Sequence, residues 1–312
     1  LEKNLKKGQL IILESTTYPG TTDEIFCKKL NKKYKIGNNI FVGYSPERID
    51  PGNNINKFEN TTKIVSGFSK NCKNLTEKFY EGIVDNVHSV SDLKTAEFTK
   101  LYENIFRSVN IGLVNEIKMI CDKMNINVYE VIEAAKTKNF GFTAFYPGPG
   151  LGGHCIPVDP YLLSWKAKEF DIQTKFIGLS GEINDGMPYY VLNKILGALN
   201  QQNTLKNSKI LIMGVAYKKN IDDIREAPAL KIIKLLNEKK AKIKYYDPFI
   251  KQIKIDDNII FKSLSRIQSF KKYDLVCLIT DHDRFNYKKM LKEAKIIVDT
   301  RGKFQKKLKK II

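Results

Sequence analysis

The chain has 312 residues, 42% of them hydrophobic and 28% charged, which is length for about two domains with real cores and excludes a disordered tail or a small disulfide scaffold. No run approaches the ~18 apolar residues of a membrane span. The formal charge of +19 comes from 53 Lys and Arg against 34 Asp and Glu; only six of the 53 are arginines (Arg48, Arg107, Arg225, Arg266, Arg284, Arg301), and the scattered lysines, with the pairs Lys239-Lys240 and Lys271-Lys272 and the tail 306–310, read as solvated faces rather than a nucleic-acid stripe.

In chain order, residues 9–15 (QLIILES) form a short apolar strand, broken by Tyr18-Pro19-Gly20 and followed by a helix starting at Thr21 or Thr22. Strands are predicted at 40–44, 63–67 and near Val87, with a polar loop over 46–56 and a helix over 72–81. This alternation suggests part of a parallel α/β sheet. From 92 to 138 the period changes to 3.6, with Phe98, Leu101, Ile105, Val109, Leu113, Ile117 and Ile120 at helical steps. A glycine-rich loop covers 140–160, and helix resumes at Tyr161 and again over 187–199. Beyond a polar linker, 201–208, the α/β rhythm returns: strand 209–213 turned by Gly214, helix 229–238, and strands at 243–246, 274–279 and 295–298.

Five cysteines, odd in number and without a CxxC pair, argue for a reducing, cytoplasmic compartment and against zinc or disulfides. Cys27, Cys72, Cys121 and Cys277 sit in apolar patterns and read as core. Cys155 has polar company on the glycine loop, in the run His154-Cys155-Ile156-Pro157-Val158-Asp159-Pro160, where backbone N–H groups or a cation could make its thiolate available as a nucleophile. Residues 148–153 match GxGxxG literally, but they follow an aromatic and proline stretch instead of a strand, so the dinucleotide fingerprint is rejected. A close approach of backbone to ligand and a plain connector both remain open for this loop. On the long helix Glu97, Lys100 and Asn104 recur at steps of three and four. That spacing fits a solvated Glu–Lys face as well as a Lys/Asn pair aimed at an oxyanion, and it does not decide between them.

The residues resemble the nucleotide-sugar 6-dehydrogenases, the UDP-glucose/GDP-mannose dehydrogenase family. The likeness is carried, in order along the chain, by residues 14–20 (ESTTYPG), 44–48 (YSPER), 96–101 (AEFTKL) with Asn104, the loop 150–160, 214–218 (GVAYK), 222–226 (DDIRE), 246–248 (YDP) and 299–301 (DTR). The loop GGHCIPVDP followed by YLLSWKAK is similar to the branch acting on UDP-N-acetylhexosamines, UDP-N-acetylglucosamine foremost, with UDP-N-acetylmannosamine or UDP-glucose as alternatives. The UDP-glucose branch usually has Lys where Val158 stands and a second glutamate where Pro51 stands.

The resemblance implies an α/β protein with two Rossmann-like domains joined by a helical dimerisation region: 1–90 the far half of an NAD-binding domain, 91–200 the central helical domain, and 201–312 a UDP-sugar-binding domain. It implies NAD as cofactor and four-electron oxidation at C6 of the UDP-sugar to a UDP-uronic acid, a surface-polysaccharide precursor. Cys155 would form the thiohemiacetal and thioester, with Lys100 and Asn104 on the oxyanion. Asp159 would handle protons or water, Glu47 would be the acid/base group, and Thr16 would hold a water or substrate. Ser15, Thr16, Glu47 and Arg225 would meet the cofactor; Lys100, Phe142, Tyr146, Gly148, Gly150, Gly152, Lys218 and Arg301 would meet the substrate. A homodimer is expected, with no metal, nucleic acid or membrane. The family's first strand and glycine fingerprint are not seen, so an N-terminally truncated fragment that binds NAD poorly and turns over negligibly is expected. A two-electron dehydrogenase without a nucleophilic cysteine, and a lysine-rich nucleic-acid-binding module, are the rival readings.

Overall fold

A computed structural model describes residues 4–49, 57–200, 205–256, 259–304 and 310–312. Pro51 and the rest of the loop stretch 50–56, linker residues 201–204 and tail lysines 306, 307 and 309 lie outside the described residues. The chain divides into two compact units, one from residues 1–107 and 158–177, the other from 108–157 and 178–312.

In the first unit the predicted strands form one sheet, β1 (Leu10–Leu13), β2 (Phe41–Tyr44), β3 (Lys63–Gly67) and β4 (Val87–Ser89), in that order. β1 pairs parallel with β2, Leu13 opposite Tyr44, and β3 pairs parallel with β4. The expectation of a parallel sheet fails at one joint: β2 meets β3 antiparallel through Gly43–Gly67 and Tyr44–Ser66. Parallel neighbours need a crossover, and the described residues between β2 and β3 hold no helix. After Gly20 the chain winds as a π-helix, Thr21–Cys27, that tightens into α1 (Lys28–Leu30). α2 (Lys70–Glu81) starts where the Ser69 side chain accepts from the Cys72 N–H at 3.3 Å. Cys27, Ile40, Val42, Tyr44, Cys72 and Ala96 form the core, so the short apolar runs do bury as read.

α3 (Leu93–Lys123) is one 31-residue helix, and α5 (Asp159–Ala167) starts two residues before Tyr161, because Pro160 is tolerated in a first turn that needs no N–H there. The 3.6 period marks α3 but not what covers it. Leu101 is fully buried, whereas Phe98, Leu113, Ile117 and Ile120 are exposed.

In the second unit β5 (Lys209–Met213), β6 (Lys242–Tyr246), β9 (Leu275–Leu278) and β10 (Ile297–Asp299) form an all-parallel sheet in the order β10-β9-β5-β6. Ile210 to Met213 are buried to 1% exposure or less, the continuous apolar run that a strand covered on both faces requires. α7 (Pro228–Glu238) turns Ala229, Ile232, Ile233 and Leu236 into that core, each apolar side chain contributing about 1.5–3 kcal/mol when fully buried. α4 (Val128–Lys136) and α6 (Lys175–Asn200) complete the helical part. α6 begins twelve residues before the predicted start and passes through Pro188. The hairpin β7 (Gln252–Asp256) and β8 (Ile259–Lys262), and α8 (Tyr287–Glu293), are not foreseen by the sequence reading; α8 buries only Met290, which leaves too little apolar period to see.

Candidate active site

Six candidate residues fall in the first unit. Loops 14–20 and 45–49 leave the carboxyl ends of β1 and β2 side by side, tied by Ser45 N–H to Leu13 O at 3.0 Å and Glu47 N–H to Glu14 O at 3.2 Å. Carboxyl ends of parallel strands are where α/β sheets take up ligands, and Ser15, Thr16 and Glu47 stand there, Ser15 exposed and the other two partly buried. Their hydroxyls and carboxylate fit a dinucleotide.

Glu47 is held as a carboxylate. Its Oε1 accepts the N–H groups of Arg48 (2.6 Å) and Ile49 (2.8 Å), and its Oε2 lies 3.4 Å from Lys63 Nζ. Burial by itself would raise its pKa, but the Ile49 N–H, the Lys63 charge and the Arg48 N–H outweigh it and hold it below the usual carboxylate range.

The Glu97–Lys100–Asn104 face is not solvated. Glu97 and Asn104 are fully buried and Lys100 is 7% exposed, which removes the surface Glu–Lys reading. Glu97 instead accepts from Gly20 N–H (2.6 Å), Thr22 N–H (2.8 Å) and Thr22 Oγ1 (2.6 Å), fastening the loop after β1 to α3; burial raises its pKa against those bonds. Asn104 donates to Asp159 Oδ2 at 2.6 Å and accepts from Arg107 Nη2 at 2.6 Å, so the amide is clamped at both ends. Asp159 is buried at the N-terminus of α5, where a carboxylate is favoured.

The remaining candidates fall in the second unit. The glycine loop is fastened at two points. Gly148 N–H donates to Asn115 Oδ1 (2.9 Å), itself bonded to Asn184 (2.9 Å), and a Cβ on Gly148 would stand 2.9 Å from Arg301 Nη1. Gly153, at φ +83°, donates to Arg225 O at 2.9 Å; such a φ favours glycine. Gly150 packs by Asn184 O and Pro228, and Gly152 lies so close to Tyr217 that a Cβ would sit 2.5 Å from its Cβ.

Cys155 follows this second point and is half-buried, while Cys27, Cys72, Cys121 and Cys277 are buried. Its Sγ is 3.4 Å from His154 Nε2. Arg225 grips Asp223 with Nε at 3.0 Å from both carboxylate oxygens and Nη2 at 2.6 Å from Oδ2. Arg301 donates Nε–H to Ile279 O at 2.6 Å, and burial lowers its pKa. Lys218 is half-buried in the turn after β5. Phe142 and Tyr146 are exposed, and the Tyr146 hydroxyl is taken by Glu133 at 2.5 Å.

Two buried devices escaped the sequence reading. Lys63, 2% exposed, carries Glu14 (3.2 Å), Glu47 (3.4 Å) and Pro46 O (3.4 Å) on one ammonium between the rings of Phe58 and Tyr80. In the second unit Lys310, placed with the solvated tail by composition, donates instead to Leu291 O and Ala294 O. Asp247, in the YDP segment, accepts from Val215 N–H (2.7 Å), Ala216 N–H (3.2 Å), Phe249 N–H (2.8 Å), Ile250 N–H (3.1 Å) and His282 Nε2 (3.0 Å). Asn220 N–H donates to His282 Nδ1 at 2.9 Å, which leaves Nε2 as the protonated nitrogen. An Asp before Pro at a strand end was the available signal. Among the described residues no cluster of three or more His, Cys, Asp or Glu is arranged to hold a metal, and no helix is long and apolar enough to cross a membrane.

The sequence matches the UDP-glucose/GDP-mannose dehydrogenase family in its NAD binding domain over residues 1–84, its central domain over 94–186 and its UDP binding domain over 211–306. It is 35% identical over 314 residues to a UDP-N-acetyl-D-mannosamine dehydrogenase of Methanocaldococcus jannaschii, covering 97% of this chain and 68% of that protein. It is 33% identical over 310 residues to a UDP-N-acetyl-D-glucosamine 6-dehydrogenase of Pseudomonas aeruginosa, covering 95% and 72%. The structure of a UDP-D-ManNAc dehydrogenase from Pyrococcus horikoshii superposes with a TM-score of 0.85 at 32% identity, covering 96% of this chain and 70% of that one. The chain thus spans about two thirds of the length of these relatives, and down to 61% of a UDP-N-acetyl-D-mannosamine dehydrogenase from Methanococcus maripaludis.

Proposed function

The chain belongs to the UDP-glucose/GDP-mannose dehydrogenase family, and from that premise we propose that it serves NAD-dependent four-electron oxidation of the C6 hydroxyl of a UDP-N-acetylhexosamine to the uronic acid. The observation that carries this is Cys155: the one half-buried cysteine of the five, on a glycine loop bonded to the Arg225 turn. Converting a primary alcohol to a carboxylate removes two hydrides from one carbon, and the aldehyde between them must be held. Cys155 holds it: the S–C6 bond forms, the carbonyl π electrons move to oxygen, and loss of the second hydride leaves a thioester for water to cleave.

Lys100 and Asn104 are assigned the oxyanion, and the clamping of Asn104 by Asp159 and Arg107 supports a fixed donor. Glu47, kept ionised by its N–H groups and Lys63, is assigned removal of a proton from the hydrolytic water, with Thr16 and Asp159 holding water or relaying protons. NAD, when bound, supplies the hydride acceptor; Ser15, Thr16, Glu47 and Arg225 would hold it. Arg301 and Lys218 are assigned the diphosphate, with Phe142, Tyr146, Gly148, Gly150 and Gly152 around the sugar.

The loop GGHCIPVDP with YLLSWKAK favours UDP-N-acetylglucosamine, Val158 within it speaks against UDP-glucose, and the names of the archaeal relatives favour UDP-N-acetylmannosamine. Incubating the purified protein and NAD with these two sugars and UDP-glucose, and reading uronic acid by mass spectrometry, tests the reading. Whatever acid the chain forms, at the low turnover expected of it, is expected from an N-acetyl sugar; acid from UDP-glucose alone overturns the N-acetyl assignment. We further assign a homodimer to the exposed stripe of α3, in which Phe98, Tyr102 and Phe106, and then Leu113, Ile117 and Ile120, recur at three- and four-residue steps. A reducing, cytoplasmic setting suits an enzyme that keeps a working thiol.

A further inference from the structure

Beside Cys155 stand two groups, His154 and Asp223, that the reading above leaves without a task. His154 Nε2 stands 3.4 Å from Cys155 Sγ. Asp223 lies close enough to a protonated His154 for the two charges to attract, and Arg225 close enough to Cys155 to favour a thiolate. Asp223 is itself fixed by the Arg225 guanidinium through three contacts of 3.0 Å or less. The same segment holds the loop, through Gly153 N–H to Arg225 O at 2.9 Å. A thiol and an imidazole 3.4 Å apart, and a carboxylate whose charge reaches that imidazole, are thus carried by one glycine loop and the single turn bonded to it.

We propose that His154 is a catalytic residue, the base that takes the thiol proton of Cys155, with Asp223 as the positioning residue for the imidazolium that results. The proposal rests on the reading of Cys155 as the nucleophile. In the step, the proton leaves Sγ for His154 Nε2, the sulfur lone pair forms the S–C6 bond to the aldehyde, and the C=O π pair becomes the alkoxide. No oxidant enters until the second hydride leaves. When water cleaves the thioester the thiolate departs, and the proton returns from Nε2 to Sγ. An ordinary thiol is only a few per cent ionised at neutral pH, whereas thiols paired with an imidazolium are largely thiolate there. Asp223 and Arg225 are among the charged groups facing the pair, and both favour the ion pair over the neutral one.

The test needs neither cofactor nor substrate. Alkylation of Cys155 by iodoacetamide, mapped by peptide mass spectrometry against pH, is compared in the chain as it stands, in His154→Gln and in Asp223→Asn. The four buried cysteines report on folding, because their alkylation would reveal a variant that has opened. The expected result is a Cys155 rate already on a plateau near pH 7, a fall of about tenfold at that pH in His154→Gln with the profile moved to ordinary thiol titration, and a smaller fall in Asp223→Asn. If His154→Gln opens the fold, Asp223→Asn and His154→Asn carry the comparison. Superimposable profiles in folded variants and parent overturn the role of His154 and leave Cys155 as nucleophile intact. Acid formation by Cys155→Ser would instead remove the reading on which the proposal stands.

Discussion

Lys63 Nζ lies 3.4 Å from Glu47 Oε2 and 3.2 Å from Glu14 Oε1, with the lysine side chain 2% exposed and the carboxylates 44% and 50% exposed. One buried cation therefore ties together the two loops that leave β1 and β2. Breaking a fully buried pair costs about 3–5 kcal/mol, but these carboxylates keep water. Lys63→Met is expected to cost about 1–2 kcal/mol in urea unfolding, with Lys63→Arg recovering most of it. The sign with pH follows from Glu47, whose folded pKa is depressed. Its contribution is complete above its unfolded value of about 4.3 and is lost as pH falls through the lower folded value. Stability of the parent should therefore drop on acidification below about pH 5, and less steeply in Lys63→Met; parallel curves would contradict the assignment.

Asp247 is 4% exposed and satisfies four backbone N–H groups and His282. Burial alone would raise its pKa, but the His282 hydrogen bond and the Val215 N–H outweigh it. Each buried donor stranded by Asp247→Ala costs roughly 1–3 kcal/mol, so a loss of at least about 3 kcal/mol is expected in urea unfolding, with Asp247→Asn costing less because its carbonyl oxygen keeps part of the set. A loss under about 1 kcal/mol would show that water replaces the carboxylate there.

The exposed stripe of α3 includes Tyr102 at 62% and Leu113 at 56% exposure. Charge placed in an apolar self-association face opposes dimerisation. Light scattering on a sizing column is expected to give a dimer for the parent and a monomer for Leu113→Glu/Ile117→Lys. A parent that runs as a monomer at micromolar concentration would contradict the homodimer.

Legibility followed physical period. β5 appears at the predicted residues because a strand buried on both faces needs an unbroken apolar run, β3 appears there too although Lys63 and Ser66 flank its Ile64-Val65 pair, and α3 appears because 31 residues of helical spacing admit no strand. The antiparallel β2–β3 joint and the β7–β8 hairpin left no such mark. In the candidate site Cys155 stood out by its polar loop, and the structure leaves it the one half-buried cysteine of the five. Lys63, Glu97 and Asp247 were unreadable for one shared reason. A charged residue is read as solvated unless its partners are known, and most of those partners, Phe249 and Ile250 beside Asp247 apart, are backbone N–H groups and side chains 16 to 77 residues away in sequence.

The role of Cys155 is tested most directly by Cys155→Ser, with NADH released and uronic acid formed counted in the same incubation with NAD and the UDP-N-acetylhexosamine. The parent is predicted to release two NADH for each acid, and the variant to form no acid while any aldehyde it makes can be trapped by hydroxylamine. Acid from the variant at the parent's rate would contradict the covalent route.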